Sequence, residues 1–283
     1  MRILITGATG FIGRHVVEYL LSLGNHSLIT TAMSSEKDAL SLCPLLKNTN
    51  YISKNLDEKT DNYYSFFLTP DCVIHLSWRG LPNYDELFHI EHNLPANYYF
   101  IKNMIQNGLS DITIAGTCFE YGLLNGCLNE EMPTTPVTVY GLAKDTLRKF
   151  VETLQQQYSF SVKWLRVFYP YGHGQSEKSL WTQLEQAIIN KRERFDMSLG
   201  EQLRDYLPSE TVAEYIVKVA LQNDVTGIIN CCSGKPLSVR KFVELFFEER
   251  SYSIYLNRGF YPYPKYEPFA FWGDNAKLKR IIG

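Results

Sequence analysis

The feature that most constrains this chain is a glycine-rich loop near its start. Residues 2–6 form a short, mostly apolar run typical of a buried strand, and Gly7, Gly10 and Gly13 follow directly. In this arrangement Gly7 permits a tight turn, Gly10 lets backbone N–H groups approach a pyrophosphate, and Gly13 allows a helix to pack closely on the strand. A helical pattern over residues 11–23 comes next, so the loop predicts a dinucleotide site at a helix N-terminus.

Apolar runs and helical patterns alternate through the first half of the chain. Further strands are predicted at residues 28–33, 73–76, 112–115 and 162–167, and helices at 95–107 and 139–156. Strands that alternate with helices form crossover units and a parallel sheet. We therefore predict an α/β fold, with a doubly wound parallel sheet of the Rossmann type and a smaller, interwoven substrate-binding lobe. The expected dinucleotide-binding domain comprises residues 1–167 plus roughly 204–231, and the lobe comprises 168–203 and 232–283.

Composition argues against several classes of protein. The 283 residues carry a formal net charge of −2, which disfavours the basic stripe of a nucleic-acid binder. No run of about 18 apolar residues predicts a membrane span and no signal-peptide pattern opens the chain, so we expect a cytoplasmic protein. The six cysteines contain no Cys-x-x-Cys pair and are expected to be free thiols. His89 and His92 lack a framework of further ligands, so no metal site is predicted.

The segment after the second predicted strand bears on the choice of cofactor. NAD-binding proteins usually carry an acidic residue there, which grips the ribose hydroxyls. This chain has Thr-Thr-Ala-Met-Ser-Ser at residues 30–35, without an acid. A 2′-phosphate would therefore meet no repulsion, and Ser34, Ser35 and Lys37, or Arg14 from the first helix, are placed to accept it. The pattern favours NADP(H), with NAD(H) as the alternative.

A tyrosine and a lysine four residues apart form the second strong signal. Tyr140 and Lys144 share one face of a predicted helix with the apolar residues Leu147, Val151 and Leu154. An ammonium beside a phenol lowers the pKa of the phenol, normally about 10, toward the working pH. The pair is therefore predicted to carry out proton transfer.

Residues 116–122, Gly-Thr-Cys-Phe-Glu-Tyr-Gly, follow the strand predicted at 112–115 and contain the hydroxyl of Thr117. With this segment, the chain resembles the extended short-chain dehydrogenase/reductases that modify nucleotide sugars. The resemblance spans nearly the whole chain and includes the glycine loop, His75-Leu76-Ser77-Trp78, Asn93, the Tyr140/Lys144 pair and Arg204-Asp205-Tyr206. It implies that Tyr140 is the general acid/base at the reacting oxygen, that Thr117 hydrogen-bonds this oxygen, and that Lys144 holds the nicotinamide ribose.

The resemblance also implies two sets of binding residues. The set for the cofactor is Gly7, Thr9, Gly10, Phe11, Ile12, Gly13, Arg14, Ser34, Asn55, Leu56, Leu76, Ser77, Asn93, Tyr140 and Lys144. The set for the substrate is Trp78, Arg79, Phe119, Tyr169, His173, Gln175 and Arg204. Arg204 is expected to meet the nucleotide diphosphate, since a guanidinium binds phosphate through two parallel hydrogen bonds. The helices predicted at 95–107 and 139–156 resemble those that pair in dimers of the family, which implies a homodimer.

Two departures from the family pattern narrow the reaction. Sugar 4,6-dehydratases place Asp-Glu after the catalytic Thr, where this chain has Cys118-Phe119, and this argues against dehydration. Tyr169 stands where an Asn usually contacts the diphosphate. The chain looks most like bacterial reductases of dTDP-4-keto-6-deoxyhexoses that serve O-antigen or capsule synthesis, which predicts an NAD(P)-dependent nucleotide-sugar 4-ketoreductase. A 4-epimerase that recycles bound NAD is the main alternative, and a non-catalytic NADP-binding sensor or scaffold is another.

Overall fold

A computed structural model describes all residues, 1–283. In chain order the strands are β1 (Arg2–Thr6), β2 (Ser27–Ala32), β3 (Asn50–Ser53), β4 (Cys72–His75), β5 (Asp111–Thr117), β6 (Gly126–Leu128), β7 (Ser161–Val167), β8 (Tyr169–Tyr171), β9 (Arg194–Met197), β10 (Leu203–Arg204), β11 (Tyr206–Pro208), β12 (Gly227–Cys231), β13 (Leu237–Ser238), β14 (Tyr255–Arg258) and β15 (Phe271–Gly273). The helices are α1 (Phe11–Leu23), α2 (Glu36–Leu42), α3 (Tyr63–Phe66), α4 (Leu94–Gln106), α5 (Val139–Leu154), α6 (Leu180–Ile189), α7 (Ser209–Ala220), α8 (Val239–Glu249) and α9 (Ala276–Ile282). The chain enters α4 through a π-helical turn, His89–Asn93.

A seven-stranded parallel sheet forms the centre of the molecule, in the order β3-β2-β1-β4-β5-β7-β12. The strand order reverses between β1 and β4, and such a reversal opens a crevice at the carboxyl ends of the strands. The structure confirms the predicted α/β fold with a doubly wound parallel sheet. Each strand and helix predicted from sequence is present, with its ends displaced by at most two residues.

Helices cover both faces of the central sheet, which explains the apolar sequence of its inner strand β1. Ile3, Leu4 and Ile5 of β1 are all fully buried. Residues of α1 and α7 pack in the hydrophobic cluster on one face, and residues of α4 and α5 pack in the cluster on the other. The crevice at the strand ends is therefore the natural place for a ligand.

A smaller hydrophobic cluster lies outside the sheet and joins α6, β9 and α8. Its buried members are Leu184, Ala187, Phe195, Met197, Phe242, Val243, Phe246 and Phe247. We call the part of the chain around this cluster the small lobe. No helix combines the length and the apolar composition that crossing a membrane requires.

Candidate active site

The glycine loop joins β1 to α1 in a conformation that requires glycine at two positions. Gly7 has φ of +69°, in the left-handed region, where residues with a side chain are strained. A Cβ on Gly13 would lie 2.1 Å from the carbonyl oxygen of Gly7, so only glycine lets α1 approach the loop. The first turn of α1 has no side-chain cap, which leaves its N–H groups, including those of Phe11 and Ile12, for an anion.

A cleft extends from this loop across the ends of β2, β3 and β4. It brings together predicted cofactor residues from distant segments: Gly7, Asn55, Leu56, Ser77 and Asn93. The hydroxyl of Thr31 is buried in the wall of the cleft without a partner, so a polar ligand group would satisfy it. The residues present therefore fit a dinucleotide.

Two arginines make contacts other than those predicted from the sequence. Arg79, which was predicted to bind substrate, lines the dinucleotide cleft and pairs with Asp57, and its Nη1 lies 3.4 Å from the Sδ of Met33. Arg14, which was predicted to reach a 2′-phosphate, donates to the carbonyl of Gly174 at 3.0 Å. Both contacts join segments that are distant in sequence, which is why local patterns did not indicate them.

A buried histidine supports the floor of the cleft. The Nε2 of His75 lies 2.6 Å from the Oδ1 of Asn97, and its Nδ1 lies 2.8 Å from the Oγ1 of Thr6. Burial lowers the pKa of His75 to about 3, so the ring is neutral. Since an amide oxygen only accepts, Nε2 carries the proton and Nδ1 accepts from Thr6. The Thr6 hydroxyl also accepts from the N–H groups of Leu76 and Ser77, at 3.1 and 3.2 Å, and so fixes the segment after β4.

The predicted acid/base group lies where α5 begins, against the turn that follows β5. Thr138 caps α5 by accepting the N–H of Gly141 at 3.0 Å. A Cβ on Gly141 would lie 2.8 Å from the carbonyl oxygen of Phe119, so this glycine allows α5 to touch the turn. Tyr140 is buried as a result. Burial raises the pKa of Tyr140, and a hydrogen bond with the Thr117 hydroxyl opposes this increase.

Lys144 lies one turn along α5 and is almost fully buried. Its Nζ donates to the carbonyl of Ala115 at 2.8 Å and stands 4.0 Å from the centroid of the Trp78 ring. Burial lowers the pKa of Lys144 to about 7, and the charge of Glu120 opposes this decrease. The sequence predicted that the ammonium lowers the pKa of Tyr140. In the structure the ammonium faces Trp78, and burial is the dominant influence on the phenol.

Aromatic side chains surround Tyr140. The ring centroids closest to that of Tyr140 belong to His89 at 5.4 Å, Tyr84 at 5.8 Å, Trp78 at 6.0 Å and Phe119 at 6.2 Å. Tyr84 and His89 were not predicted as site residues. The carbonyl of Tyr84 also accepts the backbone N–H of Tyr140 at 2.8 Å, which ties the loop after β4 to α5. The walls of the site are therefore largely aromatic.

Arg204 lies beyond Phe119 in a buried polar cluster. Its Nη2 pairs with Glu267 at 2.7 Å, and its Nη1 donates to the carbonyls of Leu203 and Phe269. The Tyr169 hydroxyl donates to the other oxygen of Glu267 at 2.7 Å. Arg204 is only 1 % exposed, so a diphosphate reaches it only if Glu267 moves.

Two further predicted substrate residues lie on the loop after β8. His173 is exposed, and Gln175 donates to the carbonyl of Pro170 at 2.8 Å. Phe119 and Tyr169 lie together, with ring centroids 6.3 Å apart. The part of the predicted substrate set that gathers near Tyr140 is thus Trp78 and Phe119, with Tyr169 behind Phe119.

Comparison with known proteins identifies the family to which this chain belongs. The profile of the NAD dependent epimerase/dehydratase family matches residues 3–232. The dTDP-6-deoxy-L-talose 4-dehydrogenase (NAD(+)) of Aggregatibacter actinomycetemcomitans is 31% identical over 276 residues, which cover 96% of this chain and 99% of the relative. The GDP-6-deoxy-D-talose 4-dehydrogenase of the same organism is 20% identical, over 100% of this chain and 92% of the relative.

Solved structures show the same fold. UDP-glucuronic acid 4-epimerase from Bacillus cereus, in complex with UDP-glucuronic acid and NAD, superposes with a TM-score of 0.86 at 19% identity. The match covers 100% of this chain and 93% of that chain. At this identity the likeness concerns the architecture, which agrees with the crevice described above.

Proposed function

The chain belongs to the NAD dependent epimerase/dehydratase family and is an oxidoreductase, and from this premise we propose that it is a reversible nucleotide-sugar 4-ketoreductase. Its proposed substrate is a dTDP-linked 4-keto-6-deoxyhexose used for cell-surface polysaccharide sugars. The observation that carries the proposal is the meeting of Tyr140, Thr117 and Lys144 at the end of β5, beside the dinucleotide cleft. The two relatives named 6-deoxytalose 4-dehydrogenases support the choice of position and of sugar.

The proposed chemistry follows from the environment of each group. A buried phenol with a raised pKa keeps its proton, as the acid that protonates a ketone oxygen must. Thr117 accepts the N–H of Phe119 at 3.3 Å, and its own hydroxyl proton is directed toward Tyr140, where the reacting oxygen would lie. When bound, the nicotinamide cofactor supplies the hydride. The ammonium of Lys144 then stabilises the phenolate that Tyr140 becomes.

The apolar walls around Tyr140 support a 6-deoxyhexose. Trp78, Tyr84 and Phe119 surround the phenol with aromatic rings and hold no charge. A methyl group at C6 is accommodated by such walls, whereas a carboxylate would lose its hydration without a partner. The same rings exclude water from the site of proton transfer.

For the cofactor, we propose that NAD(H) is accepted. The predicted preference for NADP(H) rested on the missing acid after β2. Asp57, however, brings a carboxylate to the same cleft from the segment after β3, and the 31% identical relative is named as an NAD(+) enzyme. Comparing the two reduced cofactors in one assay decides between them.

The experiment is the loss of NADH or NADPH absorbance with dTDP-4-keto-6-deoxyglucose, with and without a 3,5-epimerase. We expect one cofactor molecule to be oxidised per sugar reduced. The variant Tyr140→Phe should lose about 10²–10⁴-fold in turnover while it still binds cofactor, because it lacks only the transferable proton. Tyr255→Phe, at an exposed tyrosine in β14, is the matched control and should retain full activity.

The same assay separates the alternatives. An epimerase would interconvert nucleotide sugars without net consumption of reduced cofactor. A sensor or scaffold would bind cofactor and turn over no sugar, and full activity in Tyr140→Phe would refute the role of Tyr140. The homodimer and the cytoplasmic location stay predictions.

A further inference from the structure

A buried carboxylate lies directly beneath the proposed reaction centre. Glu120 is 0 % exposed and belongs to the turn after β5. Its Oε1 accepts the backbone N–H of Thr117 and the indole N–H of Trp164, each at 2.9 Å. Its Oε2 accepts the Nε–H of Arg166 at 2.8 Å, and the Nε of Arg148 lies 3.8 Å away. Burial of a charge is strongly unfavourable unless it is paired and hydrogen-bonded, and Glu120 meets both conditions.

The neighbouring strands are shaped to hold this carboxylate. A Cβ on Gly116 would lie 2.2 Å from the Nε1 of Trp164 and 2.6 Å from the Oε1 of Glu120. Gly116 of β5 is in register with Arg166 of β7. The glycine leaves room for the carboxylate, and the indole and the guanidinium donate to it.

Glu120 is coupled to two groups of the proposed reaction. It forms a capping box with Thr117, in which the Thr117 hydroxyl accepts the N–H of Phe119 and Glu120 accepts the N–H of Thr117. The direction of the Thr117 hydroxyl proton is thereby restricted. The negative charge of Glu120 also favours the ammonium form of Lys144.

We propose that Glu120 is a positioning residue for proton transfer at Tyr140. Its carboxylate orients Thr117 and supplies a buried negative charge that favours the ammonium form of Lys144, whose Nζ binds the carbonyl of Ala115 two residues before Thr117. The inference rests on the proposed function only in assigning the reacting oxygen to Tyr140, Thr117 and Lys144. It adds a residue whose side chain touches neither cofactor nor substrate.

Other titratable groups surround the Tyr140–Lys144 pair. The charged ones near Glu120 are Arg166 on β7 and Arg148 and Asp145 on α5. Those that face the pair from other elements are His75 on β4, Tyr84 and His89 between β4 and α4, and Cys118 after β5.

His75, Tyr84 and Cys118 remain uncharged near neutral pH. The pKa of His75 is lowered to about 3 by burial, and burial raises the pKa of Tyr84 and Cys118. The Nδ1 of His89 accepts the indole N–H of Trp78 at 3.1 Å. The carboxylate of Glu267, farther out, is paired with Arg204. Glu120 and its arginines therefore dominate the local charge.

The test is the pH dependence of Glu120→Gln in both directions of the reaction. The glutamine oxygen still accepts the N–H of Thr117. The amide nitrogen only donates, so the substitution removes the negative charge together with the hydrogen bond from Arg166. Loss of a negative charge favours the deprotonated state of Tyr140 and of Lys144, and the pH at which activity changes should fall by about one unit. Reduction should then decline at a lower pH than in the wild type, and oxidation should persist to a lower pH. A merely structural role would reduce activity at every pH without this shift.

Glu152→Gln is the matched control. Glu152 also pairs with Arg148, at 2.6 Å, but it is 44 % exposed and does not reach Thr117, so the pH profile should stay in place. Arg148→Gln removes a positive charge beside Glu120 and should shift the profile to higher pH. This second variant tests the inference even where Glu120→Gln does not fold.

NADH affinity, measured by nicotinamide fluorescence across the same pH range, reports Lys144 without any sugar. The pH above which affinity declines should fall in Glu120→Gln and rise in Arg148→Gln. A chain that binds NADH but reduces no nucleotide sugar would refute the proposed function, and this titration would still decide the role of Glu120. Profiles that stay in place in both variants, or that move in the same direction, would overturn the inference.

Discussion

Lys144 should destabilise the free protein whenever it is protonated, and replacement by methionine tests this. The side chain is 4 % exposed, and its Nζ donates one hydrogen bond, to Ala115, beside the Trp78 ring. An ammonium has three donors, so two of them lack a protein acceptor. Burial accordingly lowers the pKa of Lys144 from 10.5 to about 7.

The direction of the pKa shift determines the pH dependence of stability. Between the folded pKa of about 7 and the ordinary value of 10.5, the unfolded chain keeps a proton that the folded chain has released. Folding stability therefore rises with pH across this range. At about 1.36 kcal/mol per pH unit, the full penalty below the folded pKa is roughly 5 kcal/mol. The penalty is a net value that already includes the cation–π contact of the ammonium, so methionine loses in addition only the hydrogen bond of the amine, about 0.5–1.5 kcal/mol. We expect Lys144→Met to exceed the wild type in free energy of unfolding by about 3–4 kcal/mol at pH 6, with this advantage shrinking as the pH rises from 7 to 10.

Denaturant unfolding at several pH values between 6 and 10 measures the difference between variant and wild type. Lys241→Met, at a surface lysine of α8 whose side chain is 46 % exposed, is the control and should give a small difference that does not vary with pH. Lys144→Met should also be inactive, which would separate stability from function at this position. A difference that stays constant from pH 6 to 10 would refute the reasoning, because Lys144 would then be protonated in the fold without a penalty.

Two further substitutions test the cofactor loop and the polar cluster behind Phe119. Gly13→Ala should lower the free energy of unfolding by about 1–3 kcal/mol and weaken NADH binding, since its Cβ would overlap the Gly7 carbonyl. The control Gly24→Ala lies at a positive φ but in open space, so it should lower stability without affecting NADH binding. Intact NADH binding in Gly13→Ala would contradict the geometry of the loop. Glu267→Gln should strengthen dTDP binding several-fold, as measured by calorimetry. In this variant Arg204 loses the counter-charge of Glu267, and a diphosphate can take the place of that charge. Equal or weaker binding would show that Glu267 itself contributes to the nucleotide site.

The fold was predictable where a strand is buried on both faces or a helix has a regular apolar stripe. β1, α1, β5 and α5 meet these conditions, and their predicted bounds agree with the structure to within two residues. β3 was not predicted, because it is a short edge strand whose residues are half-buried or exposed and form no apolar run. Its existence depends on pairing with β2, which no local pattern encodes.

The proposed site was predictable to the extent that motifs carry it. Tyr140, Lys144 and Thr117 do come together, as their order along the chain implied. Tyr84 was not identified, since it lies in a loop whose course depends on contacts with α5. Glu120 did have a signal that the sequence analysis did not use, because Thr-x-x-Glu at 117–120 is the pattern of a capping box, which brings the glutamate to the backbone N–H of the threonine.

The two arginines assigned to substrate show why motif-based assignment has a physical limit. Sequence alone treats a guanidinium near a ligand site as free to bind an anion, yet Arg79 pairs with Asp57 and Arg204 pairs with Glu267. The partners lie 22 and 63 residues away in the chain, so no local pattern joins them. An incoming diphosphate must therefore compete with a carboxylate that is already 2.7 Å from Arg204, in a cluster where the loss of one partner is strongly unfavourable. Either the segment that carries Glu267 moves when the nucleotide binds, or Arg204 stays paired and other groups hold the diphosphate. Tighter binding of dTDP to Glu267→Gln would support movement of the Glu267 segment, because the carboxylate opposes the ligand only if the diphosphate has to displace it from Arg204.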